Sequence, residues 1–419
     1  MVYVSRQIEA LLRHSLARGK SVLLLGPRQT GKTTLLGLLQ KDLEISLVNP
    51  SARLRYEKDP SLLEKEVAAL PARRGMPPVV CLDEIQKAPA LFDAIQDLID
   101  RGKARFVLTG SSARKLRRGH FVNLLPGRVV TLRLDPFTLR EAPSIPLEDR
   151  LVFGELPGIA QTPAVEDREI DLRSYVTTYL EQEVRAEAIV RNLGSFARFL
   201  ELAASESGAA VNFSKLSQEI GVAHTTIASY YEIMEDCLIV ERVEPWTQTK
   251  TRKKLTRAHK YLFFDSGVRR AAAGEPPALP PSRAGASFEE WVGIQFIRLA
   301  RDAAQTTRLH FWRDPNGPEV DWVLHRGDEL IPVEVKWSEA PTAADARHLG
   351  IFLREYPAAK RGYIVCRTPR RFQLTPQVLA LPWQELMSVL EPPPTLPVAS
   401  TRGLLKGIDT AVARDADRP

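Results

Sequence analysis

The chain has 419 residues, 44% apolar and 26% charged, which excludes a wholly disordered chain and leaves room for about three domains at roughly 150 residues each. Lys and Arg outnumber Asp and Glu by 58 to 51, a net charge of +7; that mild surplus permits a nucleic-acid partner without demanding one. The three cysteines stand far apart, outside any C-x-x-C pair, which argues against a disulfide framework or a Cys-rich zinc module and fits reduced thiols in the cytoplasm.

No apolar run reaches the roughly 18 residues of a membrane span. At the start, Arg6, Glu9 and Arg13 recur at helical spacing, which predicts an amphipathic helix and not a signal peptide. Residues 21–25 (SVLLL) then form a short apolar run that stops at Gly26-Pro27. The stretch Gly26, Pro27, Arg28, Gln29, Thr30, Gly31, Lys32, Thr33 fits G-x-x-x-x-G-K-[ST], with a strand expected before it and a helix after it. The two glycines let the backbone wrap phosphates, and the loop amides face them. Lys32 is expected to neutralise the β- and γ-phosphates and Thr33 to place its hydroxyl on Mg²⁺, with Thr34 closing the nucleotide-binding stretch.

A second apolar run, Val79–Leu82, ends in Asp83 and Glu84. Opposite a phosphate loop, the first carboxylate would hold Mg²⁺ and the second would orient the attacking water. A third run, 106–109 (FVLT), ends in Thr109-Gly110-Ser111-Ser112, where Thr109 or Ser111 could touch the γ-phosphate or the water, or simply form a turn. Apolar strands alternating with helices such as 90–100 predict an α/β unit with a covered parallel sheet over residues 1–150.

The segments GPRQTGKTTLL, LDEIQKAP, FVLTGSSARKL and LLPGRVVTLRLDPFTLRE follow in this order. In that order they resemble the AAA-family ATPases of bacteria and archaea that carry a C-terminal domain of unknown function. The resemblance runs over roughly residues 3–388. It implies a P-loop NTPase fold, ATP with Mg²⁺, a homo-oligomer such as a ring, and an arginine supplied across a subunit boundary. Arg128, in the L-P-G-R turn, is the candidate, with Arg114, Arg117 and Arg118 as rivals and a purely structural arginine as the alternative.

Residues 151–272 read as a helical and winged-helix section. In NFSKLSQEIGVAHTTIASYYEIMEDCLIV, the residues Phe213, Leu216 and Ile220 form one face, Gly221 permits a turn, and a second helix would offer His224, Thr225, Thr226, Ser229 and Tyr230 outward. A β-hairpin wing would follow, carrying Lys250, Arg252, Lys253, Lys254, Arg257 and Lys260 without an acidic residue. Such a wing would bind the DNA phosphate backbone, and a helix poor in base-reading side chains predicts little sequence specificity. The alternative is a winged helix used for packing or for a protein contact.

Residues 274–286 look like a linker, dense in Pro, Gly and Ala. A third unit, 283–390, opens with a helix and continues with strands at 309–312, 319–324 and 331–337. Glu334 and Lys336 share a strand face, and a hairpin over 319–337 would bring Asp321 beside them. This D-x₁₂-E-x-K spacing resembles the PD-(D/E)XK nuclease core. The resemblance implies Mg²⁺ on Asp321 and Glu334, Lys336 steadying the water and Glu289 assisting. Whether such a site cuts or is only a retained scaffold stays open. Trp291 and Trp322 fall in apolar patterns and read as core, no zinc-enzyme motif is present, and the tail 391–419 has little to bury.

Overall fold

The computed structural model describes residues 3–71, 75–112, 127–180, 193–247, 258–302, 306–314 and 317–390. Arg114, Arg117 and Arg118, the wing residues Lys250, Arg252, Lys253, Lys254 and Arg257, and the tail 391–419 lie outside the described residues.

Five strands form the first sheet: β1 (Ser21–Leu25), β2 (Leu43–Ser46), β3 (Val79–Asp83), β4 (Arg105–Gly110) and β5 (Val129–Arg133). Their order is β2-β3-β4-β1-β5 and every pair is parallel. The central strands are apolar on both faces because both faces are covered. Leu23, Val80, Leu82, Phe106 and Leu108 pack against Phe92, Ile95 and Leu98. The alternate residues Val22, Leu24, Cys81 and Val107 pack against Leu12, Leu16, Leu35 and Leu36. This parallel α/β arrangement is consistent with a P-loop AAA fold, and it aligns the C-terminal ends of β1, β3 and β4 along one edge.

The first helix spans Ile8–Ala17, with Glu9 and Arg13 paired at 2.7 Å one turn apart. Arg6 departs from its expected place on that solvated helix. It precedes the helix, is buried, and donates to the backbone oxygens of Thr30 (2.7 Å) and Asp135 (2.6 Å).

The helical section holds the expected two-helix unit. Asn212 caps the helix Phe213–Ile220, its side chain accepting from the amides of Ser214 and Lys215 at 3.1 Å each. Gly221 closes that helix at φ 76°, a left-handed value that favours glycine, and His224–Asp236 follows. Tyr230 does not face outward. It is buried against Phe196 and Phe199, because it follows Ile227 by three residues and shares its core-facing stripe.

The hairpin after these helices is present as β6 (Val240–Pro245) and β7 (Lys260–Phe263), antiparallel from Val240↔Phe263 to Val243↔Lys260. It is not a separate wing. β6 also runs parallel to β8 (Thr307–Arg313), and they join β9 (Glu319–Arg326), β10 (Glu329–Val335), β11 (Gly362–Cys366), β12 (Phe372–Thr375) and β13 (Val378–Pro382). The result is one eight-stranded mixed sheet, β12-β13-β11-β10-β9-β8-β6-β7, which crosses the expected boundary between 151–272 and 283–390. Part of the expected linker is helical, since the helix Pro281–Asp302 starts inside it with proline at its first turn. Trp291 and Trp322 are both fully buried, as their patterns predict.

Candidate nucleotide site and acidic site

The phosphate loop leaves β1 at Leu25 and enters the helix Lys32–Gly37. Gly31 sits at φ 97° and Gln29 at φ 61°, both left-handed, so the loop curls tightly back on itself. Gly26 is required by space: a Cβ there would collide with the Leu134 carbonyl oxygen. Lys32 Nζ lies inside the loop and donates to the carbonyls of Gly26 and Pro27 at 2.8 Å each. The Thr30 hydroxyl bridges to the Pro27 carbonyl at 2.9 Å. Two more distant side chains hold the loop from outside. Arg6 grips the Thr30 carbonyl, and the Tyr175 hydroxyl, from the helical section, donates to the Arg28 carbonyl at 3.3 Å.

Across the loop, β3 ends at Asp83. Its carboxylate accepts from the Thr33 hydroxyl at 3.3 Å and from the Thr109 hydroxyl at 2.5 Å. Thr33 and Asp83, on neighbouring elements, therefore make a hydroxyl–carboxylate pair of the kind a hard cation takes. Thr109 is fully buried, and its oxygen also accepts from the Glu84 amide at 3.0 Å. Its hydroxyl is thus engaged by both members of the acidic pair. Glu84 adopts φ 58° and ψ 50°, an uncommon conformation for a residue with a Cβ. Its carboxylate accepts from Gln86 Nε2 (2.5 Å) and from the Ser111 hydroxyl (3.0 Å). Ser111 is buried and bonded to Glu84, as Thr109 is bonded to Asp83. Gln86 was not singled out in the sequence; nothing in its local pattern marks it.

Arg128 stands apart from its own phosphate loop. It precedes Val129, which pairs with Ser21 at the N-terminal end of β1, whereas the loop follows Leu25. The length of β1 separates them, about 13 Å at roughly 3.3 Å per residue. Its guanidinium is ion-paired with Asp100.

The second candidate site lies on the larger sheet. β9 and β10 form the expected hairpin, and extending its register one pair beyond Trp322↔Val333 sets Asp321 opposite Glu334. Asp321 accepts from the Val335 amide at 2.8 Å, and Lys336 Nζ bonds Glu334 at 2.7 Å. Burial, reinforced by the nearby charges of Glu289 and Glu334, raises Asp321 well above the usual carboxylate range. Burial also raises Glu334, against the pull of Lys336. Glu289, on the helix Pro281–Asp302, is bound at 2.9 Å by Lys260, which was expected among the exposed wing cations. The four residues Glu289, Asp321, Glu334 and Lys336 are thus brought together. Among the described residues, no group of three or more His, Cys, Asp or Glu side chains is gathered closely enough to hold a metal ion.

On the two-helix unit, Thr225 is exposed, while Thr226 and Ser229 are half-buried. Among the described residues, no helix is long and apolar enough to cross a membrane.

Residues 18–142 match a family model described as an AAA domain. Residues 145–278 and 284–386 match two models described as domains of unknown function, DUF8612 and DUF4143. An uncharacterized protein of Mycobacterium tuberculosis is 28% identical over 393 residues, covering 93% of this chain and 86% of that protein. One of Mycobacterium bovis matches to the same extent. Among solved structures, the Aeropyrum pernix ORC1 protein in complex with DNA is 16% identical, covering 66% of this chain and 94% of that chain, with a TM-score of 0.28. A DNA polymerase III gamma subunit-related protein of Thermotoga maritima is 13% identical, covering 56% and 98%, also at 0.28. The match over residues 18–142, on a parallel sheet whose first strand runs into the phosphate loop, supports an AAA-type P-loop domain in this part of the chain.

Proposed function

We propose that the chain is a Mg²⁺-dependent ATP hydrolase that binds and remodels DNA in the cytoplasm as a homo-oligomer. The observation that carries the ATPase reading is the phosphate loop facing Asp83 and Glu84, with the Thr33 hydroxyl 3.3 Å from Asp83. Residues Gly26 to Thr34 would hold the triphosphate, and Thr33 with Asp83 would hold Mg²⁺, which would neutralise the phosphate charge. The missing Cβ at Gly26 and the loop-seated Lys32 ammonium fit that assignment. Glu84 orients and deprotonates water; Gln86 and Ser111 set its angle. Arg128, far from its own loop, would act only across a subunit boundary.

The positioning role of Gln86 predicts a specific outcome. Gln86→Leu should slow ATP turnover by about 10-fold or more, since small misplacements of a reacting group are costly, while leaving nucleotide affinity unchanged. Steady-state phosphate release beside a fluorescent-nucleotide titration checks this. Wild-type turnover in that variant removes Gln86 from the arrangement.

The DNA reading rests on the basic surplus, the two-helix unit and the run from Lys250 to Arg257. Contact is with phosphate, so binding should weaken steeply as salt rises. The test is ATP turnover with linear and branched duplexes at two salt concentrations. DNA that neither binds at low salt nor changes turnover defeats this reading. A second reading is favoured by the burial of Tyr230 and the half-burial of Thr226 and Ser229, which thin the outward face of the helix. In that reading the two-helix unit packs internally and the ATP state gates a protein partner. Replacing Lys253 and Lys254 with Glu separates the two: the first requires loss of DNA retention with ATPase intact.

In the third unit we read Glu289, Asp321, Glu334 and Lys336 as a PD-(D/E)XK-like site for a divalent cation. If it cuts, Mn²⁺ should support nicking that Glu334→Ala abolishes.

A further inference from the structure

Lys260 opens β7, three residues after Arg257, and by sequence belongs to the basic run. In the fold its side chain is only 13% exposed. Nζ lies 2.9 Å from Glu289 Oε1, 4.7 Å from the centre of the Trp322 ring and 5.2 Å from that of Phe311. The Trp322 indole donates to the Glu289 backbone oxygen at 3.1 Å, so ring, carboxylate and ammonium form one assembly. A cation over an aromatic face, also paired with a carboxylate, is a held cation and not a solvated one.

Each carboxylate of the acidic site has one internal partner. Glu289 has Lys260, Asp321 has the Val335 amide, and Glu334 has Lys336. Of the oxygens these partners leave over, Glu334 Oε2 is buried, in a residue 4% exposed, and has no hydrogen-bond partner among the described residues. A buried carboxylate oxygen without a donor is costly, and a cation would satisfy it. When all three carboxyls are ionised, as metal ligands are, they stand against two ammonium groups and leave one negative charge. Adding a divalent cation would overshoot to one positive charge; exchanging it for Lys260 would leave none. With Lys260 in place Glu289 is tied to it, in keeping with the lack of a closed three-ligand group.

We propose that Lys260 is the resident cation of the acidic site and that a divalent cation binds there by displacing it. The cation therefore comes from the β6–β7 hairpin and not from the C-terminal unit that supplies the carboxylates. This rests on reading the three carboxylates as a divalent-cation site.

The test is Mn²⁺ binding to the full chain without nucleotide, by calorimetry and by the electron paramagnetic resonance signal of free Mn²⁺. Lys260→Met keeps an apolar stem over Trp322 and removes the charge. It should bind Mn²⁺ at least about 10-fold more tightly than wild type, the scale on which neighbouring groups tune metal affinity, and adding Glu334→Gln should cancel the gain. A Lys260→Met protein that binds Mn²⁺ no better than a wild type that does bind it overturns the displacement but leaves the cation site. No binding by either protein, at any Mn²⁺ concentration that leaves them folded, overturns both. A measurement on the unaltered chain needs no variant to fold. The rate of Lys260 acetylation by acetic anhydride, followed by peptide mass mapping, should rise several-fold in Mn²⁺, and an unchanged rate at saturating Mn²⁺ overturns the proposal.

Discussion

A Glu84→Gln protein is expected to bind ATP as wild type does and to hydrolyse it about 10²–10³-fold more slowly, the usual scale for loss of a general base. In the proposed mechanism the two neighbouring carboxylates divide the work. Asp83 is held by the buried Thr109 hydroxyl and faces Thr33, which suits the metal role proposed for it. Glu84 is turned away from the strand by its left-handed backbone, which costs on the order of 1–2 kcal/mol for a residue with a Cβ. That strain is maintained by the bonds its carboxylate accepts from Gln86 and Ser111 and by its amide donating to Thr109. Strain held in place this way is the motive for proposing Glu84 as the base. Glutamine keeps the size and loses the basicity. Lys32→Ala should fail earlier, at binding, because its Nζ is the cation seated inside the loop. Fluorescent-nucleotide titration and single-turnover phosphate release separate the two steps. Wild-type turnover by the Glu84→Gln protein would take the chemistry away from Glu84, and undiminished affinity in the Lys32→Ala protein would take the triphosphate out of the loop.

What the sequence made legible is what is local in it. The phosphate loop is contiguous, so residues 26–33 could be assigned their places without knowing the fold, and the apolar runs at 21–25, 79–82 and 106–109 are three neighbouring strands of one sheet. The Asp321–Glu334 juxtaposition was legible for the same reason, being one short hairpin. What was not legible depends on strand pairing at long range. β6 has two partners, β7 and β8, and only its pairing with β8 makes the hairpin part of the C-terminal sheet. That pairing turns Lys260 from an expected DNA contact into a member of the acidic site. Arg6 reads as one more charge on an amphipathic helix until Asp135, 129 residues away, is folded against it. Tyr230 is a different case. Ile227, Tyr230, Tyr231 and Met234 recur at three and four, so the helix phase already placed that ring in the core.

Arg298→Met should destabilise the chain by about 3–5 kcal/mol, the cost of breaking a buried ion pair from one side. Arg298, on the helix Pro281–Asp302, is buried where the AAA domain, the helical section and the C-terminal unit meet. It donates to the Phe137 carbonyl at 2.7 Å, to the Phe264 carbonyl at 2.7 Å and to Glu155 at 2.5 Å, and lies 3.8 Å from Asp265. Glu155 also holds Arg150 and accepts from Gln295 at 2.6 Å. One turn along, Arg301 binds Asp135 and Glu241 at 2.7 Å each. Burial opposes a charge on Asp135, but Arg301, Arg133 and Arg298 outweigh it and hold the carboxyl down at about 2. Asp135 belongs to the segment whose backbone oxygens bind Arg6, and Arg6 holds the phosphate loop. A packed ionic network therefore runs from the loop to the helix that also carries Glu289. Methionine at 298 fills much of the volume but leaves two carbonyls and the buried Asp265 carboxyl without their arginine. The first denaturant transition should move to lower guanidinium concentration, and limited proteolysis should cut between the AAA domain and the rest sooner than in wild type. If both the transition and the cleavage pattern match wild type within 1 kcal/mol, a scale far below the ion-pair cost, the three units are held together by apolar packing alone and the network carries no coupling.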